Sequence, residues 1–257
     1  MRWRLCPALL AFLWFGRVMA QDVATPGVDA FGEDFPPLSF MRDGEPAGIA
    51  VDLLKRACAA AGVVCKVHIV PWARAYHTAQ AQRNCLVFST IRTPEREGSF
   101  LWLGPFLPRM SWLYTLSSTP FSVNQLDGGD GFVIGTVYND VSIGELRQIG
   151  VPDSAMESSP TLDDSRRKLM AGRVAAVVDT ESSMKWFLKT HGYEQARVKA
   201  VMPLGENGDY YYALNPRSDP AVARKLRDGL TAVLAARALP DIMDSYLGAS
   251  ETAGAAH

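Results

Sequence analysis

The sequence predicts an α/β fold built on a mostly parallel sheet. Hydrophobic periodicity switches repeatedly between the helical and the strand repeat along the chain, and the strand-like runs are short, apolar and rich in β-branched residues. No period of 20 to 50 residues recurs, which excludes a solenoid.

The first segment reads as a leader. Arg2 and Arg4 precede an apolar run over 5–15, and Val18, Met19 and Ala20 offer a small-residue cleavage site before Gln21, the order of a secretory signal peptide. The apolar run is far short of the roughly 20 residues that span a bilayer. Residues 1–20 are therefore expected to be removed on export to the periplasm, and Cys6 lacks the context of a lipid-anchored cysteine. Loss of Arg2, Arg4 and Arg17 takes the formal charge from −1 to −4. The sequence shows no basic face for a nucleic acid.

The mature chain opens with a helix over 49–61, where Val51, Leu54, Ala57 and Cys58 share one face, followed by a β-branched strand over 64–70. A helix over 72–80 and an apolar, buried-type strand over 85–89 continue the alternation. Ser, Thr, Pro and Gly over 116–130 make a loop-like seam on a second lobe. Beyond it come a strand over 132–135, helices near 142–148 and over 162–170, a strand over 174–178, a helix over 182–190 and a strand over 198–201. A strand over 210–214 precedes a long amphipathic helix over 221–236 and a last helix from Pro240 to Tyr246, with 249–257 as a frayed tail.

The motifs of the common enzyme classes are missing: there is no G-x-S-x-G, P-loop, strand-borne G-x-G-x-x-G or H-E-x-x-H. His68, His77 and His191 are scattered, so no metal and no cofactor is expected. Polar residues gather instead where apolar strands end, the place where open α/β sheets bind ligands. Ser89 and Thr90 follow one strand, Thr136 another and Asp179 a third. Thr136 serves equally as a helix N-cap or as a ligand contact. Asp179 has no basic residue close by in sequence, so its counter-charge is either a ligand cation or a distant Arg or Lys.

FPPLSFMRDGEPAGIAVDLLKRACAAAG over 35–62 resembles the opening of the family 3 bacterial extracellular solute-binding proteins, which serve polar-amino-acid importers. VPWARAYHTAQAQRNCLVFSTIRTPEREGSFLWLGPF over 70–106 continues the resemblance, and GTVYND, AAVVDTESSMKWFL and ALPDIMDSYLG follow in the right order. The resemblance implies a type II periplasmic-binding-protein fold: two α/β lobes joined by two crossover strands, with a ligand cleft between them. Lobe 1 would comprise 21–109 and 211–257, and lobe 2 would comprise 110–210. Cys58, late in a helix, and Cys65, at the next strand start, can be stapled in an oxidising compartment, and the resemblance implies that disulfide; Cys85, at the start of an apolar strand, reads as a buried thiol.

Carried onto this chain, the resemblance makes Arg96 the clamp for a ligand α-carboxylate, a task suited to the planar guanidinium fork. Ser89 would help hold that carboxylate, Asp179 would take the ligand amine, and Phe35 and Trp72 would pack on the ligand. Tyr138 and Arg74 stand one step from matched cleft positions. Two departures are visible: Gly32 stands near where many relatives carry an amine-binding aspartate, with Glu33 or Asp34 as substitutes, and Val137 replaces a frequent threonine. Thr93 and Pro94 are expected to open a helix that gives Glu95 a dipole role and leaves Arg92 without one. The function expected is capture of an amino acid or related carboxylate by a monomeric receptor that delivers it to the membrane permease of an ABC importer. The alternatives are a dehydratase-like enzyme on the same fold, or a sensor presenting the ligand to a membrane signalling partner.

Overall fold

The computed structural model describes residues 27–247; the expected leader over 1–20 and tail over 249–257 lie outside the described residues. The order is β1 (Gly27–Gly32), β2 (Phe40–Arg42), β3 (Glu45–Ala47), α1 (Ile49–Ala61), β4 (Val64–Ile69), α2 (Trp72–Ala81), β5 (Cys85–Ile91) and β6 (Leu101–Leu116). It continues with β7 (Ile134–Val137), α3 (Val141–Gln148), β8 (Met156–Ser159), α4 (Leu162–Met170), β9 (Ala176–Thr180), α5 (Glu181–Thr190), β10 (Val198–Leu214), α6 (Pro220–Ala235) and α7 (Ala238–Leu247).

Eight strands form one sheet in the order β4-β1-β5-β10-β6-β9-β7-β8. The outer pairs are parallel, β1 with β4 and β5, and β7 with β8 and β9. At the centre, β6 and β10 run antiparallel to each other and to their outer neighbours β5 and β9. The sheet is thus mixed where a mostly parallel one was expected. The cause is topological: one long strand leaves the first lobe and the other returns, so they run in opposite senses.

Burial follows this division. One hydrophobic cluster joins α1, β5 and α6 through Leu53, Leu54, Leu86, Phe88, Leu226 and Leu230. Two others fill the middle of the chain, around Leu113, Ile134 and Leu146 on one face, and around Leu169, Val177 and Phe187 on the other. Val137 and Leu162 of the second lobe pack into the first lobe's cluster, so the lobes touch.

Local chemistry sets the boundaries. α1 ends at Gly62, whose φ of 61° is the left-handed cap that glycine adopts without a Cβ clash, and the Gly62 and Val63 N–H groups close the last turn on Ala59 and Cys58. Cys58, in the last turn of α1, is joined to Cys65 of β4 in a disulfide, at a Cα separation of 6.2 Å. Cys85 is free and buried. α6 starts with Asp219 as N-cap and Pro220 in its first turn.

Periodicity missed β1, β6, β8 and the β2–β3 hairpin, and split β10 into two strands. β6 carries Pro105 and Pro108, and β10 carries Pro203, Gly205 and Gly208, all of which read as strand breakers. Pro108 and Pro203 stay paired across the ladder, and register shifts between Leu204 and Gly208 and between Tyr210 and Tyr212 take up Gly205 and Pro105, so each strand runs on. The strand expected over 174–178 is β9, so Asp179 lies inside a strand; Thr136 likewise lies inside β7. No α-helix follows Thr93: a turn leads into a single 3-10 turn at Glu97–Ser99 before β6 begins. So few residues before Leu101 cannot repay helix nucleation. Among the described residues no helix is long and apolar enough to cross a membrane.

Candidate functional site

A cavity of about 60 Å³ lies between the lobes, lined by Glu33, Phe35, Trp72, Ser89, Thr90, Arg96, Arg109, Ser111, Thr136, Asp140, Asp179 and Tyr210 among others. At roughly 10–15 Å³ per water in this measure, it holds about four to six waters, the scale of a small ligand. Direct contacts close it. Asn139, between β7 and α3, has a φ of 60°, and its carbonyl accepts from Trp72 Nε1 at 3.0 Å and from Arg96 Nη2 at 3.0 Å. Phe40 also meets Trp186 of α5, with ring centroids 5.1 Å apart.

The first-lobe wall carries polar groups with spare capacity. Arg96 donates to Thr90 Oγ1 at 3.4 Å and to the Asn139 carbonyl, and its guanidinium lies 5.6 Å from the Trp72 ring centroid and 5.1 Å from that of Tyr76. These partners are neutral, and no carboxylate pairs with Arg96 among the described residues. Ser89 adopts a φ of 56° within β5, where pairing with β10 shifts register between Tyr211 and Ala213. This left-handed conformation costs a serine about 1–3 kcal/mol and aims its side chain out of the regular pleat. Its Oγ is buried and unpartnered. Phe35 packs edge-on against Tyr210, at 6.3 Å between centroids.

On the second-lobe wall the buried aspartate is satisfied within the lobe, while Asp140 accepts from the Ser142 N–H and has no ion pair among the described residues. Both Asp179 carboxylate oxygens are held by Arg166, Oδ2 by Nε at 2.8 Å and Oδ1 by Nη2 at 3.0 Å, and Oδ1 also accepts from the Thr180 N–H. The two side chains are 2% and 0% exposed. Burial raises the Asp179 carboxyl above the ordinary carboxylate value, and Arg166 opposes that rise. Of the two counter-charges the sequence left open, the structure holds the distant arginine. At the lobe boundary, Arg109 of β6 pairs with Glu145 of α3, at 2.6 and 3.0 Å. Thr136 Oγ1 is hydrogen-bonded to Ser158 Oγ at 2.9 Å, and the N-cap of α3 is Asp140, so Thr136 is not a cap.

Three further expectations are resolved by position. Tyr138 is 52% exposed and outside the cavity lining. Arg74 is exposed, and Arg92 forms a surface ion pair with Glu97, both contacts at 2.6 Å. Gly32 admits no aspartate as the cleft stands: a Cβ there would lie 2.0 Å from the Phe88 ring. Glu33, the next residue, lines the cavity instead, and burial, followed by the charge of Asp140, pushes its carboxyl up to about 8.

Sequence reasoning missed Arg166, Arg109, Asp140 and Tyr210. For Arg166 a signal existed: Leu162, Ser165, Arg166 and Leu169 follow the i, i+3, i+4, i+7 pattern of a buried face. An arginine in that stripe demands a buried anion.

The profile of the bacterial extracellular solute-binding proteins, family 3, matches residues 29–249. A comparison with curated protein sequences returns no match. Among solved structures, a histidine kinase sensor domain with similarity to periplasmic binding proteins superposes with a TM-score of 0.77 at 17% identity, covering 87% of this chain and 97% of that one. A putative L-cystine ABC transporter protein from Listeria monocytogenes gives 0.75 at 20% identity, covering 88% and 98%. The arginine-, lysine-, histidine-binding protein ArtJ from Geobacillus stearothermophilus gives 0.74 at 18% identity, covering 86% and 95%. The shared architecture is the two-lobed type II periplasmic-binding-protein fold.

Proposed function

Because the chain belongs to family 3 of the bacterial extracellular solute-binding proteins, we propose that it captures a small amino acid or related carboxylate between its lobes, in the periplasm, for ABC-type import. The observation that carries this reading is Arg96: a guanidinium in the cavity wall with only neutral partners, beside the unpartnered hydroxyl of Ser89. A ligand carboxylate there would gain the bidentate, charge-assisted bonds that guanidinium favours, at about 1.5–3 kcal/mol each. Thr90 would orient the guanidinium, and Phe35 and Trp72 would cover the ligand. Lobe boundaries at 109/110 and 210/211, inside β6 and β10, would give the hinge.

Trp72 and Arg96 reach across the cleft to Asn139, so entry of a ligand requires those bonds to open and closure remakes them. The test is thermal stabilisation of the mature protein by the twenty L-amino acids and a set of organic acids. Upward shifts confined to a few carboxylates support the reading; a flat response across the panel overturns it. The likeness to a kinase sensor domain favours a second reading, in which the ligand-bound form presents itself to a membrane signalling partner. Pull-down of a permease, as opposed to a kinase, by the ligand-loaded protein separates the two.

A further inference from the structure

We infer that Glu145, which lies outside the cavity lining, sets how readily the cleft opens: it is a positioning residue that ties α3 to both hinge strands. This rests on the hinge reading above and names the side chain that controls the motion.

Three observations put Glu145 at the hinge. Arg109 occupies the last first-lobe position of β6, and its two bonds to Glu145, at 2.6 and 3.0 Å, are shielded, the side chains being 7% and 11% exposed. Beside that pair the long strands lose register: Leu204 pairs with Ser111 and Gly208 with Arg109, so four steps along β10 face two along β6. Within this bulge Gly205 has a φ of 76°, and a Cβ on it would lie 2.4 Å from Glu145 Oε1. The carboxylate fills the space that a side chain there would need. One group thus holds β6 by charge and β10 by close packing on its backbone.

α3 carries that seat to the rim of the cleft. Asn139, just before the helix, accepts from Trp72 and Arg96 of the first lobe, and Asp140, the N-cap, lines the cavity. Glu145 follows Asp140 by about a turn and a half of the same short helix. The rim therefore moves with the hinge seat.

The direction of control follows from Arg109. It lines the cavity, and Glu145 is its sole ion-pair partner among the described residues. With that partner in place the guanidinium is compensated, and the cleft can close over it. Without it, closure would bury a lone cation, whereas opening admits water to solvate the charge. Loss of the Glu145 charge therefore favours the open form.

The experiment is double electron–electron resonance on the mature, ligand-free protein, with nitroxides at Arg74→Cys on the first lobe and Tyr138→Cys on the second, both exposed positions. Distances are compared in an otherwise wild-type background and with Glu145→Gln, Gly205→Ala or Arg147→Ala added. Glutamine keeps the shape of Glu145 and one acceptor oxygen, and circular dichroism checks the fold; should that variant fail to fold, Gly205→Ala displaces the same carboxylate from the other strand. Arg147→Ala removes the surface pair of α3 with Asp153 and leaves the hinge seat intact. The expected result is a rise of at least about tenfold in the ratio of long to short distances in Glu145→Gln, with Arg147→Ala at the wild-type ratio. A lower melting temperature in Glu145→Gln with unmoved distances would show a structural role only and overturn the assignment, as would an equal rise in Arg147→Ala; either leaves the hinge reading standing. One narrow distance in every variant, unmoved also by the L-amino acid that gives the largest thermal shift, overturns the hinge as well.

Discussion

The two walls of the cleft are built from the same residue types and end in opposite electrostatic states. On the first lobe, Arg96 has only neutral partners and the buried Ser89 hydroxyl has none. On the second, Arg166 and Asp179 complete each other. A charge satisfied inside the chain holds a lobe together; a charge left over is available to something from outside. Position in the cleft is therefore a poorer guide to ligand contact than the partner a side chain already has.

Breaking the second wall should have the largest effect on stability. Arg166→Ala strands Asp179 as an uncompensated buried anion and should cost about 3–5 kcal/mol in urea unfolding. The double change Arg166→Met with Asp179→Leu should recover most of that loss. A single-variant loss under about 1 kcal/mol would show that the pair is not the closed unit described.

Opening the Cys58–Cys65 bridge comes next. By the chain-entropy estimate a loop this short is worth about 2.5 kcal/mol, so dithiothreitol should lower the urea midpoint of the wild type and leave a variant with serine at both positions unmoved.

Glu33 gives a smaller effect with a definite sign. Its folded carboxyl is raised to about 8, above the ordinary value of 4.5, so between those limits the native state holds a proton that the unfolded state has lost. Stability of the ligand-free protein should fall as pH climbs from 5 to 8, then level off. Thermal melts at pH 5, 7 and 9 should show it in the wild type and not in Glu33→Gln.

Arg92→Ala should change almost nothing. Its pair with Glu97 is about half exposed on both sides, so the urea midpoint should match the wild type's, with ligand-induced thermal shifts preserved. Arg92 and Arg96, four residues apart, thus differ in consequence because one finds its carboxylate at the surface and the other finds none.

Much of the architecture was legible because burial leaves a period in the sequence. The α1, β4, α2 and β5 series and the α4, β9 and α5 series all lie within a few residues of their expected positions. The two crossover strands were not legible from periodicity, since prolines and glycines in β6 and β10 carry the same signal whether they end a strand or bend it. On the site, Arg96 and Ser89 could be singled out through strand ends and family resemblance. The Arg166–Asp179 pair could not, because it joins α4 to β9 across 13 residues of chain, and a partner at that separation leaves no mark at the aspartate. The left-handed backbone at Ser89 was equally silent, because the conformation is imposed by the strand pairing around it.

The most direct test of the account is the affinity of Arg96→Ala, measured by isothermal titration with the amino acid that most stabilises the wild type. Losing two charge-assisted bonds should weaken binding at least about 100-fold, with the variant's unfolding midpoint in the absence of ligand little changed. An affinity within a few-fold of the wild type would contradict the claim that the unpaired arginine of the first-lobe wall is the ligand's anchor.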